Sequence, residues 1–505
     1  MSEIGGWYLD DGTIGDELEA ILSDIRKILD FCESSGMELN AEKCEVYFMN
    51  ASAEEEVEMY REISSLLPGI RKMNKSSFEL LGAPIFEDGV RGMFSKKVEC
   101  VEVLSKRLQL LDVHPALCIF KSSLSAPRFN YLLRTSKSFL VPEVLDRVDE
   151  LFRSSLEAIT NTRLDLVSWK QASLPLSFGG LGIRKSSELA YPAYLSSVHQ
   201  SSKLSDEILS KFGLTILNDD VSSILQGLPP EYLSLDDKAR TVQSKWDLIG
   251  VRKIFDELLT SSSPVDRARL LASSTKESSK WLQVIPSSKL GLLLDNNAAR
   301  IAVALRLGCQ ICEEYRCVCG KMVDKFGRHG LSCKNSKGWI PGHNDINSIF
   351  SHAFSLAGFP NVLQPPGISR DDGKTPDGMT LIPWSRGKSL LWDVTVRDTL
   401  AKSYVSISSS KAGAVADLAE RKKHNHYVAL KQNHLFTPIA FESLGSCGPE
   451  TKVFLVSLGK MMKKASGECK SLDYLLQKVS ISIQRRNAAC ILGTFERRMD
   501  DFYLL

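Results

Sequence analysis

At 505 residues, 43% of them hydrophobic, the chain has room for about three domains with real cores. No apolar run approaches the roughly 18 residues of a membrane span, and the N-terminus has no basic, apolar leader pattern, so an intracellular protein with no membrane partner is expected. Net charge is +2, but residues 1–60 carry 16 acidic against 3 basic side chains and the remainder is about +15, so the remainder suits a polyanion while the start repels one.

The first motif is Tyr8-Leu9-Asp10-Asp11, followed by Gly12. Apolar residues then fall at Ile14, Leu18, Ile21, Ile25, Ile28 and Cys32, in steps of four and three, with Gly36 beyond. That spacing predicts an amphipathic helix with a glycine stop. A turn and short strand carrying Lys43 follow over Gly36–Phe48, and a Leu80-Leu81-Gly82 strand over Phe78–Ile85. In this order the pieces resemble the second half of a reverse-transcriptase palm and its primer grip. In such enzymes an aromatic, an aliphatic residue and two aspartates on a tight turn present carboxylates to catalytic metal ions. In-line nucleotidyl transfer uses two divalent ions about 4 Å apart, and in that architecture a further metal-binding aspartate lies on an earlier strand. Only seven residues precede Tyr8, so Asp10 and Asp11 are expected to be half of a polymerase site. The plain alternative is an Asp-Asp turn in an unrelated hairpin.

Residues 91–308 are helical by pattern, with serine-rich joints around 200–205, 259–263 and 273–279. A thumb-like region over 91–230 and a helical linker over 231–308 are expected, both serving packing. Within them, Leu174–Ile183 (LPLSFGGLGI) resembles a glycine-rich segment beyond the thumb of non-LTR retrotransposon polymerases.

Of 12 cysteines, Cys309, Cys312, Cys317, Cys319 and Cys333 cluster, and in an intracellular chain that reads as metal binding. Cys317, Cys319, His329 and Cys333 supply three thiolates and an imidazole, the tetrahedral set zinc favours, and four ligands close a structural site. Gly320, Gly327 and Gly330 let the loop turn tightly. Cys312 is an alternative ligand and Cys309 a weaker one, and buried core cysteines are the alternative to a site.

Next, Asn344 can cap a helix with apolar face Ile346, Ile349, Phe350, Ala353, Phe354 and Ala357, stopped at Gly358. Strand-like runs follow at Met379–Trp384 and Ser389–Val396. Alternation puts Leu391, Asp393, Thr395 and Arg397 on one face of the second run, toward the hairpin partner that starts at Asp377. A simple register leaves Asp377 and Asp393 diagonal, so a bulge or twist is needed to bring them together. Two carboxylates so placed can hold a divalent ion that activates water against a phosphodiester. A helix over 411–431 carries Arg421-Lys422-Lys423. Lys423 shares a face with Ala419 and Tyr427, whereas Lys422 falls on the Val415/Leu418 stripe. Glu442, on a following strand, reads first as surface charge and second as a supporting carboxylate. The bland alternatives are a Pro-Asp-Gly turn at Asp377, an exposed strand acid at Asp393 and a solvated basic helix face.

Pro376-Asp377 and Asp393 resemble the two acids of the PD-(D/E)xK nuclease fold. Thr395 stands where its lysine is expected, and some members supply that lysine from the following helix, which implies Lys423, or else Lys422. The succession of palm, thumb, cysteine–histidine knuckle and nuclease resembles site-specific non-LTR retrotransposons with a C-terminal endonuclease. The resemblance implies an α+β multidomain chain: a partial palm at 1–90, the thumb-like region and linker, a zinc knuckle at 309–343, an α/β restriction-like endonuclease at 344–465 and a basic C-terminal helix at 466–505. In that family the endonuclease nicks target DNA and the polymerase copies element RNA from the exposed 3′ hydroxyl. The implied partners are target DNA and element RNA, the implied metals catalytic Mg²⁺ or Mn²⁺ beside structural Zn²⁺, and the implied location the nucleus. Thr375 and Gly342 stand where a basic residue and an arginine are common, which weakens the expectation of DNA-backbone contact there. Residues 456–505 hold nine Lys or Arg against five acids and are expected to aid DNA binding. A reverse transcriptase completed from upstream, and a decayed fragment that binds nucleic acid without chemistry, remain the alternatives. The purified chain should show no primer extension on an RNA template with Mg²⁺ or Mn²⁺. Extension that Asp10→Ala abolishes would overturn the half-site expectation.

Overall fold

Strands β1 (Ile4–Tyr8) and β2 (Asp11–Gly15) form an antiparallel ribbon in register from Ile4↔Gly15 to Tyr8↔Asp11. The structure, a computed structural model, describes residues 4–211, 224–368 and 373–495. Helix α1 (Leu18–Ser34) follows the expected spacing and ends before Gly36, whose φ of +68° suits glycine. It packs Leu22 and Ile25 on Ile63, Leu67 and Ile70 from α2 (Ala53–Leu66) and its exit, a small core of its own.

The helical middle includes α3 (Glu87–Leu108), α4 (Pro142–Thr160), α5 (Ser186–Ser210) and α6 (Asn296–Leu307). Phe94, Phe120, Phe129 and Phe152 are fully buried in it. The same core takes in Trp281, Val284, Leu294 and most of α6, so it crosses the boundary expected at residue 230. Buried Arg306 ties irregular chain to helix. Its guanidinium donates to the carbonyls of Gly180 (3.0 Å), Ser273 (3.0 Å), Leu176 (3.2 Å) and Ser278 (3.3 Å). The glycines of the 174–183 loop have a steric cause, since a Cβ on Gly180 would lie 1.9 Å from the Leu174 carbonyl oxygen.

A two-stranded ribbon, β3 (Tyr315–Arg316) and β4 (Met322–Val323), precedes α7 (Trp339–Leu356). Here the helix start differs from expectation. It begins five residues before Asn344, because Pro341 is tolerated in a first turn, where its missing N–H has no intrahelical partner to lose. A four-stranded sheet comes next, built from β5 (Asn361–Leu363), β6 (Gly378–Thr380), β7 (Leu390–Arg397) and β8 (Leu435–Glu442), in the order β8-β7-β6-β5. The first two pairings from β5 are antiparallel, and β7–β8 is parallel, with Asp393 opposite Pro438. Helix α8 (Ala414–His426) makes the crossover. Both faces of β7 are buried. Leu390, Trp392, Val394 and Val396 meet Ile346, Phe350 and Phe354 of α7, and Leu391 meets Tyr427 and Phe436.

Two helices close the fold, α9 (Pro449–Ser466) and α10 (Ser471–Leu492). The C-terminal helix is expected to be basic, and most of α10 is buried, polar Ser480, Ser482, Gln484, Arg486 and Asn487 included, while Lys478 stays exposed. Its arginines are consumed internally. Arg486 is 4% exposed and stacks 4.7 Å from the Trp339 ring, while Arg485 donates to the carbonyls of Gly291 and Leu293. Exposed Lys460, Lys463 and Lys464 lie on α9, and Arg497 and Arg498 lie outside the described residues. A Cβ on Gly338 would sit 2.4 Å from the backbone nitrogen of Cys490 on α10. Gly338→Ala should therefore destabilise the chain by about 1–3 kcal/mol, read as a lower urea midpoint. An unchanged midpoint would mean that the entry to α7 yields freely.

Candidate functional site

The knuckle is built from the β3–β4 turn and the short helix Arg328–Ser332. Gly320, at φ +84°, turns the chain, and its N–H donates to the Cys317 carbonyl (2.7 Å), which brings Cys319 back beside Cys317. Cys317 Sγ and Cys333 Sγ are 3.6 Å apart, and Cys319 Sγ lies 3.2 Å from His329 Nε2. The four ligand atoms lie within 4.8 Å of one another. A tetrahedral zinc with bonds of about 2.3 Å to sulfur and about 2.0 Å to nitrogen needs edges of about 3.3–3.8 Å. The residues fit, so this cluster could hold a metal such as zinc. The other two cysteines do not join it. Cys312 is buried with its thiol toward the carbonyls of Asp324 and Lys325, and Cys309 is a core residue. Among the described residues this is the one such group with three or more ligand side chains.

Asp377 precedes β6, and its backbone N–H donates to the Trp392 carbonyl (3.0 Å) although the ladder pairs Trp392 with Gly378. Two residues of the short strand thus address one of β7, a local departure of the kind a bulge makes. A Cβ on Gly378 would lie 2.0 Å from the Trp392 ring, so glycine is required there. The Asp377 carboxylate accepts from the Val394 N–H (2.6 Å) and from His343 Nε2 on α7 (3.0 Å). Asp393, 4% exposed, pairs with Lys423 Nζ (2.5 Å) and accepts from the Tyr427 hydroxyl. Lys422 points elsewhere, its ammonium 6.0 Å from the Tyr404 ring.

Burial acts against both carboxylates, with different outcomes. At Asp377 burial is outweighed by the His343 hydrogen bond and charge and by the Val394 N–H, which hold the group below the ordinary aspartate range. At Asp393 burial wins: Lys423 pulls the group down and the Asp377 charge pushes it up, leaving it raised. His343 is raised in turn, chiefly through its bond to Asp377. The two acids thus shift in opposite directions, Asp377 held against His343 and Asp393 against Lys423.

Glu442 is not surface charge. It is fully buried, and its carboxylate accepts from the N–H groups of Val415 (2.9 Å) and Ala416 (3.3 Å), capping α8. It therefore sets the helix that carries Lys423 and lends no carboxylate beside Asp377. His343 and Asn347 were not singled out as site residues. Their spacing of four on α7 puts them on one face and is the signal that finds them. Gly342 is backbone without a side chain because the Arg486 stem fills that space, where a Cβ would lie 2.4 Å from its Cγ. Asp10 and Asp11 are brought together with no such cluster; they stand exposed at the hairpin tip beside Leu9, whose φ is +58°.

No family model matches the chain, and no curated protein matches it. Among the described residues no helix is long and apolar enough to cross a membrane. Purified chain should carry about one zinc, lost in a Cys317→Ser/Cys333→Ser double variant together with order in residues 309–340, because loading and folding of so small a loop are coupled. Full zinc content in that variant, by elemental analysis, would place the metal elsewhere.

Proposed function

We propose that the chain is a retrotransposon-derived protein in which residues 344–465 are a metal-dependent DNA endonuclease that nicks target DNA, beside a partial reverse-transcriptase region. The observation that carries this reading is the meeting of Lys423 with Asp393, beside Asp377 at the start of the adjoining strand. The order of two antiparallel pairings, a crossover helix and a parallel strand supports it, being the succession such nucleases use.

Asp377 and Asp393 would hold Mg²⁺ or Mn²⁺ through the carboxylate lone pairs that their present hydrogen bonds leave open. When bound, such an ion lowers the pKa of water and neutralises charge on a phosphodiester oxygen. His343 and the Val394 N–H fix the Asp377 carboxylate, and Tyr427 fixes that of Asp393. Lys423 brings a cation to the same place, where it can orient water or stabilise charge building on the phosphorane. Exposed Arg421 and Lys422 on the same helix offer phosphate contacts that should weaken steeply with salt.

The test is nicking of supercoiled plasmid in Mg²⁺ or Mn²⁺, with DNA binding followed in parallel. Asp393→Asn should abolish nicking and leave salt-sensitive binding largely intact. Lys423→Ala should slow nicking by about 10²–10³-fold, more than it weakens binding. If Asp377→Ala and Asp393→Asn both nick at the parent rate, the endonuclease reading is wrong. A chain that binds DNA but never nicks it is the decayed binding module.

A further inference from the structure

Asn347, one turn after His343 on α7, is 6% exposed. Its Nδ2 lies 3.0 Å from His343 Nε2, and its Oδ1 is buried with no donor among the described residues. His343 Nε2 in turn lies 3.0 Å from Asp377 Oδ1.

That ring nitrogen has either a proton or a lone pair to offer, never both. Asp377 is held below the ordinary aspartate range, so its carboxylate can only accept, and the proton belongs to that contact. The amide nitrogen then meets the ring donor against donor. A half-turn of the amide about its last torsion exchanges nitrogen and oxygen and moves nothing else. Oδ1 would then accept from the ring N–H, but it would stand against the Asp377 carboxylate, which the amide N–H otherwise steadies. Each setting leaves one like pair at a buried amide, where unpaired polar groups are unfavourable. A cation beside Asp377 removes the conflict of the second setting, because carbonyl and carboxylate oxygens become ligands of one ion.

Mg²⁺ and Mn²⁺ take oxygen ligands, carbonyls as well as carboxylates. We infer that Asn347 supplies a third oxygen ligand to the divalent ion that Asp377 and Asp393 would hold, an inference that rests on the endonuclease reading of those two acids. His343 stays off the ion and fixes the Asp377 carboxylate through its Nε2–H, as hydrogen-bonded partners of ligating groups do.

The test is Mn²⁺ binding by the full-length, zinc-loaded chain without DNA, read from loss of the free-ion EPR signal. Asn347→Leu keeps the size of the side chain and removes both polar ends. It should weaken binding at least about 10-fold. Water-proton relaxation, which counts waters on the bound ion, should show one more in that variant. Asn347→Asp keeps an oxygen and loses the N–H, and it should bind Mn²⁺ at least as tightly as the parent. A purely structural amide would be damaged by both changes, so weaker binding by Asn347→Asp would overturn the ligand role. Asp377→Ala separates this inference from the reading beneath it. If Asp377→Ala loses the ion while Asn347→Leu binds at parent strength with an unchanged water count, Asn347 is no ligand. If Asp377→Ala itself binds like the parent, the two-acid site falls and this inference with it.

Discussion

Burial of most of α10 between two cores is the constraint on which the C-terminal half depends. Leu475, Leu476, Val479 and Ile483 belong to the core under the sheet. Ile481, Ala488 and Ile491 belong to the core of the helical middle. Past its end, Thr494 accepts from the Val318 N–H and bonds the Tyr315 hydroxyl, so the knuckle rests on it as well. A helix with two apolar faces cannot choose between them, and each partner hides surface that the other would leave wet. Polar joints follow the same route. Lys280 pairs with Asp473 at 2.6 Å, and Ser480 Oγ accepts from the Trp281 N–H.

Much of the site was legible because its chemistry is local. The knuckle ligands are named by residue type and spacing, and ligand geometry leaves few alternatives. Lys423 separates from Lys422 by helical phase alone, since Ala419, Lys423 and Tyr427 share the buried side. Other features depend on partners far along the chain and had no local mark. Glu442 reads as a strand-end charge until α8 is laid over it. Cys309 and Cys312 look like ligands until the cores that bury them are assembled. The tail reads as basic by count, yet Arg485 and Arg486 spend their charge on carbonyls and a tryptophan ring. Gly342 looks like a lost arginine, and the cause is a stem reaching in from α10.

On the endonuclease reading, the paired acids already hold one cation. Lys423 neutralises Asp393, and His343 is hydrogen-bonded to Asp377 from the other side. A divalent ion entering between the carboxylates would compete with both. The acid with the weaker hold on its charge is Asp393, raised by burial. Displacement of Lys423 from Oδ1 would free its ammonium within reach of whatever the ion binds. On that reading the ion pair is a resting arrangement that holds the lysine beside the buried carboxylate.

The position of that lysine is set by a relay of buried acids. Glu442, at the end of β8, caps α8. Glu420, within α8, accepts from the Thr451 N–H (2.8 Å) and the Glu450 N–H (3.2 Å) and caps α9. Gly448 is required for the second cap, because a Cβ there would lie 2.1 Å from Glu420 Oε1. Burying a carboxylate is unfavourable, and both groups are raised for that reason. Each is compensated by free amides and the positive end of a helix dipole. Sheet, α8 and α9 are thereby locked in sequence, each by the acid of the element before it. Lys423 follows Glu420 by one turn, so its reach to Asp393 is set by a helix held at its start and its middle and does not rest on its own flexible stem alone.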